Sequence, residues 1–346
     1  MFTFADTDFS QLNSTLDELQ PSKIFILVDE NTHEYCLPTL LGNLETTVPY
    51  EILETEPGEE MKTLNTTAQL WEILAEFEAD RNAVLINLGG GVITDLGGFI
   101  ASTYKRGIPF INIPTTLLGM CDASIGGKTG IDHGFIKNII GTFAEPELIL
   151  IFPGFLKTLP FEQLRSGFAE MLKHGLIADR QHWEDLISLA ELNAYLLSPY
   201  ISRSCEIKNE VVKADFHEKN IRKSLNFGHT IGHAVESYFL ASGTPILHGE
   251  AVAMGMICET QLSALEGLIT RDEAEAVIRH IHRFFPKITI EPSALPALLE
   301  LMKSDKKNSG GQIKFSLLNG IGTGGFNQTA SEENIYNALH YYQNLS

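Results

Sequence analysis

Ala83-Val84-Leu85-Ile86-Asn87-Leu88-Gly89-Gly90-Gly91-Val92-Ile93-Thr94-Asp95 passes from an apolar run through a glycine triplet into a stretch, Ile93 to Tyr104, with helical texture. A strand that turns sharply into a helix is the repeating unit of a parallel α/β sheet. Similar short β-rich runs lie on either side: Lys23 to Val28, Val48 to Leu53, Phe110 to Ile113 and Glu147 to Ile151. Between them, Glu59 to Ala79 carries Met61, Leu64, Ala68, Trp71, Leu74 and Ala75 at helical spacing, which predicts a helix covering the sheet. The glycine triplet has two readings. Its backbone N–H groups, together with the following helix N-terminus, could cradle a phosphate. It could equally be a tight strand-to-helix turn, because Thr94 stands where the last glycine of GxGxxG belongs.

After Phe152 the texture changes. From Phe161 to about Met302 the helical period dominates, with breaks expected at Ser198-Pro199, Ser242 to Pro245 and Glu291-Pro292. Thr270 followed by Glu273 has the spacing of a capping box. Ile313 to Leu318 reads as a late strand and Glu332 to Tyr342 as a closing helix. The boundary falls between Pro153 and Pro160, giving an α/β domain over 1–155 and a mainly helical one over 156–346.

Composition narrows the function classes. No run of eighteen apolar residues is present, and Met1 to Ser10 has neither a basic stretch nor an apolar core, so a membrane span and a secretory signal are not expected and a cytoplasmic protein is. Cys36, Cys121, Cys205 and Cys258 are widely separated and form no CxxC pair, which argues against a disulfide framework or a thiolate zinc site. A net charge of −19 disfavours nucleic acid as a partner. Against that field, Lys and Arg recur beside glycines and in short polar motifs, in Lys105-Arg106-Gly107, Gly126-Gly127-Lys128, Lys137-Asn138 and Asp305-Lys306-Lys307, with Lys208 and Arg222 apart. Such placement suggests a pocket for an anionic substrate, although solvation alone explains most surface lysines.

His229 and His233 stand at i and i+4 on one helical face, and His248 opens another helix-like run. Two neutral imidazoles and a carboxylate would hold a divalent cation with positions left open. Glu170, in the otherwise apolar stretch Ser166 to His174, is an ionisable group that needs a partner. A single histidine is more simply a hydrogen-bonded core residue; three flanked by glycines, with an isolated Glu, favour a site. Neither HExxH nor GxSxG is present.

Taken in order, Gly89 to Val92 with Asp95, Arg106-Gly107, Pro114 to Leu118, Asp122, Gly126 to Lys128, Lys137-Asn138, Glu170, Arg222, Asn226, Gly228 to Thr230, Gly232-His233, Leu247 to Glu250 and Asp305 to Lys307 resemble the motifs of the 3-dehydroquinate synthase family, of the sugar phosphate cyclase superfamily, over roughly residues 20 to 345. Thr94, Gly130 and Cys121 are small departures. The resemblance implies a Rossmann-like nucleotide-binding domain followed by a helical metal-binding domain, with NAD and zinc or cobalt as cofactors. It implies Glu170, His229 and His248 as metal ligands. It places NAD against Asp29, Asn31, Glu59, Lys62, Gly90, Gly91, Val92, Asp95, Thr115, Thr116, Lys128, Lys137 and the segment Phe155, Leu156, Lys157 and Thr158. Substrate would meet Arg106, contributed by a second subunit of a homodimer, and Asp122, Lys128, Lys137, Asn138, Lys208, Arg222, Asn226, His233 and Lys306; catalytic roles fall to His233, Lys128, Asn138, Lys173 and Arg222.

The reaction so implied converts 3-deoxy-D-arabino-heptulosonate 7-phosphate to 3-dehydroquinate and phosphate. A secondary alcohol is oxidised by NAD+, the acidified neighbouring C–H is lost as phosphate departs, the hydride returns, and the ring opens and closes again by an intramolecular aldol step. A glycerol-dehydrogenase-like oxidoreductase shares the glycine-rich turn and metal dependence but would accumulate NADH. A cyclase for a substrate lacking carboxylate would not need Lys208, Arg222 and Asn226 together.

Overall fold

The computed structural model describes residues 2–5, 8–134, 136–303 and 312–345, so Lys306 lies outside the described residues. The chain forms two compact units, 1–160 and 161–346.

The first unit is built on β1 (Phe2–Phe4), β2 (Ile24–Asp29), β3 (Tyr50–Thr55), β4 (Val84–Gly89), β5 (Phe110–Pro114) and β8 (Leu148–Ile151), all paired in parallel in the order β1-β8-β5-β4-β2-β3. The register aligns Ile24 with Val84 and Leu85 with Phe110. β4 is buried along its whole length, which is why its sequence is continuously apolar rather than alternating: both faces of a parallel sheet are covered. Its helices are α1 (Ser10–Leu19), α2 (Glu30–Tyr35), α3 (Leu37–Asn43), α4 (Leu64–Glu76) and α5 (Gly91–Thr103). Leu70 and Leu74 of α4 and Leu96, Phe99 and Ile100 of α5 pack with Phe25, Leu27 and Leu85 of the sheet in one core. The run from Glu59 is a short 3-10 turn, Glu59–Met61, before α4 begins.

Among the strands, β1 and one antiparallel ribbon escaped sequence reading. β1 is three residues long, too short to show a period. The antiparallel ribbon of β6 (Lys128–His133) and β7 (Ile136–Phe143) leaves Ile136, Ile139, Ile140 and Phe143 exposed, so no inward and outward alternation marks it.

The second unit comprises α6 (Phe161–Ala178), α7 (Arg180–Ser188), α8 (Ala194–Ala214), α9 (His229–Ala241), α10 (His248–Leu265), α11 (Arg271–Phe284), α12 (Leu295–Lys303) and α13 (Glu332–Gln343). α10 is buried from Ala251 to Thr260 and packs against α6, α9, α11 and α13, the behaviour of a helix apolar on every face. Thr270 and Glu273 form the expected reciprocal capping box at the start of α11. Two expectations are corrected. Pro199 does not break the chain but lies inside α8; it offers no N–H to the carbonyl of Tyr195, which belongs to a highly exposed residue where water can replace the bond. Ile313 to Leu318 forms only the isolated bridges Phe315–Gln328 and Leu318–Gly324, because among the described residues no neighbouring strand continues the ladder.

Candidate functional site

In the helical unit, three helices bring one ligand-type side chain each to a common point. Glu170 of α6 is fully buried, and its Oε1 lies 3.5 Å from Nε2 of His229, the first residue of α9, and 3.5 Å from Nε2 of His248, the first residue of α10. The helix starts are tied down by their neighbours. Gly249 donates its N–H to Ser166 Oγ of α6 at 2.9 Å, and Arg165 pairs with Glu250 at 2.6 Å, so α10 begins directly against α6. A side chain at Gly249 would run into the Ser166 backbone. The start of α9 is held from α10, where Glu259 accepts the N–H groups of Gly228 at 2.6 Å and Ile231 at 3.0 Å.

The hydrogen bonds of the histidines decide which ring nitrogen faces inward. His229 Nδ1 lies 3.0 Å from the Phe227 carbonyl, which can only accept, so Nδ1 carries a proton and Nε2 is the nitrogen turned toward Glu170. His248 Nδ1 faces the Glu236 carboxylate at 3.4 Å, which turns its Nε2 toward Glu170 in the same way. Two imidazole nitrogens and one carboxylate oxygen within 4.8 Å of one another are the donor set of an open divalent-metal site. The electrostatics agree with that fit. Burial alone would push the His248 pKa down, but Glu236 and Glu170 outweigh it and hold it up at about 10, so this pocket favours positive charge, as a proton or as an ion. Lys173, one turn along α6, pairs with Glu170 and is itself buried. His233 stacks near both other rings, with centroids 5.1 Å from His229 and 5.9 Å from His248, and is grouped with Glu236 and His248.

Three other expected residues of this unit lie on α8 and on the 3-10 turn Ile221–Asn226 that follows it. Arg222 is buried, and its Nη1 donates to the Phe216 carbonyl at 2.6 Å. Asn226 donates to Glu218 at 2.8 Å, and Lys208 is buried on α8.

In the α/β unit the glycine triplet ends β4 and opens α5, with Gly90 as the N-cap. A Cβ on Gly90 would sit 2.9 Å from Thr116 Cγ2, so backbone comes close to the Thr115-Thr116 turn, where Thr115 donates its N–H to the Gly89 carbonyl. Beside it Lys62, only 2% exposed, bonds Asp95 at 2.6 Å and Asn138 Oδ1 at 2.5 Å, with Glu59 at 3.8 Å. Lys137 reaches the same Glu59 at 3.5 Å. Burial works against the charge on Lys62, but Asp95 and Glu59 outweigh it and raise its pKa above the ordinary lysine value. Glu59, Lys62, Asp95, Lys137 and Asn138, far apart in sequence, are thus one charged cluster.

The remaining expected residues are more dispersed. Asp29 caps α2 through Oδ1, which accepts from Thr32 N–H at 2.8 Å, while Asn31 is exposed. Phe155 and Leu156 are buried, Phe155 against Phe9 and Phe152, so only their backbone could meet a ligand; Lys157 and Thr158 are exposed. Val92, Gly91 and Asp122 are half-buried and Lys128 is exposed at the start of β6. Arg106 is exposed in a left-handed conformation, φ +71°, beside Gly107 and Phe143.

Sequence reasoning missed Glu218, Glu236, Glu259 and Ser166. Glu259 carried the signal that exposed Glu170, an ionisable residue in an apolar helix. Ser166 carried none.

An open parallel α/β unit followed by a helical unit is the architecture of the sugar phosphate cyclase superfamily. The chain superposes on 2-epi-5-epi-valiolone synthase from Streptomyces hygroscopicus subsp. jinggangensis, solved with NAD+ and Zn2+ bound, with a TM-score of 0.84 and 27% identity over 99% of this chain and 96% of that one. It shares the fold of 2-deoxy-scyllo-inosose synthase, TM-score 0.85 and 23% identity over 98% and 96% of the two chains. Residues 52–166 match the 3-dehydroquinate synthase N-terminal model and residues 167–308 the C-terminal one. The 3-dehydroquinate synthase of Parabacteroides distasonis is 41% identical over 96% of this chain and 95% of its own. The chain belongs to the 3-dehydroquinate synthase family.

Proposed function

We propose that the chain converts 3-deoxy-D-arabino-heptulosonate 7-phosphate to 3-dehydroquinate and phosphate, with NAD and zinc or cobalt as cofactors. The observation that carries this reading is the convergence of His229 and His248 Nε2 on Glu170 Oε1 at 3.5 Å each, in a chain of this family. When bound, NAD would accept and return a hydride, and a divalent cation would lower the pKa of a substrate hydroxyl.

The chain's own residues supply the rest. Glu170, His229 and His248 provide the ligand atoms, and the Phe227 carbonyl and Glu236 hold both imidazoles with Nε2 inward. Lys173 balances the charge of the buried Glu170. Asp29, Asn31, Glu59, Lys62, Gly90 to Val92, Asp95, Thr115, Thr116 and the 155–158 turn serve the dinucleotide, with the α5 N-terminus turned to its phosphates. Arg222, its guanidinium oriented by the Phe216 carbonyl, takes the substrate carboxylate; Lys208 and Asn226 stand with it, and Asp122, Lys128, Lys137 and Asn138 meet the remaining polar groups. His233 relays a proton. The exposed Ile136, Ile139, Ile140 and Phe143 of the ribbon supply apolar side chains, on both of its faces, for a second copy in a homodimer, which would also bring Arg106 to the partner's substrate. No described helix is long and apolar enough to cross a membrane. A cytoplasmic location is part of the same proposal.

The test is to incubate the purified chain with NAD+, Zn2+ or Co2+ and the substrate, and to record phosphate release, NADH absorbance and product identity together. Phosphate and 3-dehydroquinate without net NADH are expected. One NADH accumulating per turnover would overturn the reading in favour of a dehydrogenase.

A further inference from the structure

We infer that Glu259 is a positioning residue: a buried carboxylate that caps α9 from the neighbouring helix and holds the His229 turn in its metal-binding geometry before any ion arrives. The inference rests on the proposed metal reading of Glu170, His229 and His248.

A helix start leaves N–H groups without intrahelical acceptors, and the N-cap side chain ordinarily takes the N3 amide. At α9 the N-cap is Gly228, which has no side chain. It is glycine for two reasons: its φ is +80°, and a Cβ would sit 2.6 Å from Met256 Cγ of α10. The missing cap is supplied from α10. Glu259 is 0% exposed; its Oε2 accepts from Gly228 N–H at 2.6 Å and its Oε1 from Ile231, the N3 residue, at 3.0 Å. An ionised carboxylate has acceptors on both oxygens and faces the positive end of the helix dipole. Gly255 allows the approach, since a side chain there would strike the Gly228 carbonyl. His229 and Thr230 lie between the two held amides, and the carboxylate that holds them rides on the helix that begins with His248. One side chain therefore sets the spacing of two of the three ligands through the backbone N–H groups it accepts from.

Glu259→Gln keeps the volume but turns an amide NH2 toward one of the two N–H groups. Zinc affinity is measured by competition with a chromophoric chelator, and the visible absorption of bound Co2+ reports coordination geometry. We expect the zinc Kd to rise about tenfold or more, with an altered Co2+ spectrum. Ser263→Ala is the control: Ser263 bonds the Glu259 carbonyl and the Leu318 N–H from the same buried helix, so its loss should lower Tm while leaving affinity and spectrum as in the unsubstituted chain. Unchanged affinity and spectrum in Glu259→Gln, or an equal loss of affinity in Ser263→Ala, would overturn the inference. Should Glu259→Gln not fold, amide exchange on the unsubstituted chain decides: the amides of 228–231 should be as protected after chelator treatment as with zinc, and free exchange without zinc would refute a preformed turn. An unsubstituted chain that takes up neither Zn2+ nor Co2+ stoichiometrically would instead bring down the metal reading itself.

Discussion

Replacing Lys62 by Met removes the ammonium that joins Asp95, Glu59 and Asn138 while keeping an apolar side chain of similar length. At 2.6 Å from Asp95, the pair attracts by about 6 kcal/mol at an effective dielectric of ~20. Desolvating the buried ammonium offsets much of that. The carboxylates left behind can partly rehydrate, since the Asp95 and Glu59 side chains are 19% and 38% exposed. The net destabilisation of the α/β unit should be about 3 kcal/mol, the low end for breaking a buried pair. Urea unfolding can follow it by Trp71, which packs near Phe99 with centroids 6.3 Å apart, in a Trp183→Phe background that leaves one indole. In a cycle with Asp95→Asn, the coupling should reach about 1–2 kcal/mol. Additivity within about 0.5 kcal/mol would refute the argument, because the two charges would then not be stabilising each other.

Glu170→Ala, His229→Ala and His248→Ala should each lose most bound metal, measured by elemental analysis; full occupancy in all three would mean the ligands are elsewhere. Arg222→Ala should lose about 2–5 kcal/mol of transition-state stabilisation while NAD and metal binding survive. Steady-state kinetics with the substrate and a decarboxylated analogue test this, and an unsubstituted enzyme indifferent to the carboxylate would exclude the role. His182, buried and bonded to Ser204, has its pKa pushed down by burial from 6.5 to about 4. The unfolded chain therefore binds this proton first, so stability is full above the unfolded value and falls as pH drops from 6.5 toward 4, by about 3 kcal/mol. His182→Gln should flatten that part of the urea-stability profile, and an identical slope in both proteins would show that other groups cause it.

The glutamates illustrate how far sequence reaches. Glu170 stood out because an ionisable group in an apolar helix needs a partner, and the structure supplies His229, His248 and Lys173. Glu259 satisfies the same rule, but its partners are backbone N–H groups, which no residue type announces. His229 and His233 share one face by helical period, yet that period does not say which of them joins His248 at Glu170.

By itself the sequence determined the features set by local periodicity and chain stiffness: continuously apolar strands of a parallel sheet, the Thr270–Glu273 cap, the two-part division and the presence of histidines at ligand spacing. Only the tertiary structure decided the strand order β1-β8-β5-β4-β2-β3, the burial of Lys62 among charges from separate segments, and the ring nitrogen each histidine turns inward. Those depend on which backbone carbonyls, amides and carboxylates packing brings within about 3 Å, and contacts between distant segments leave no period in the chain.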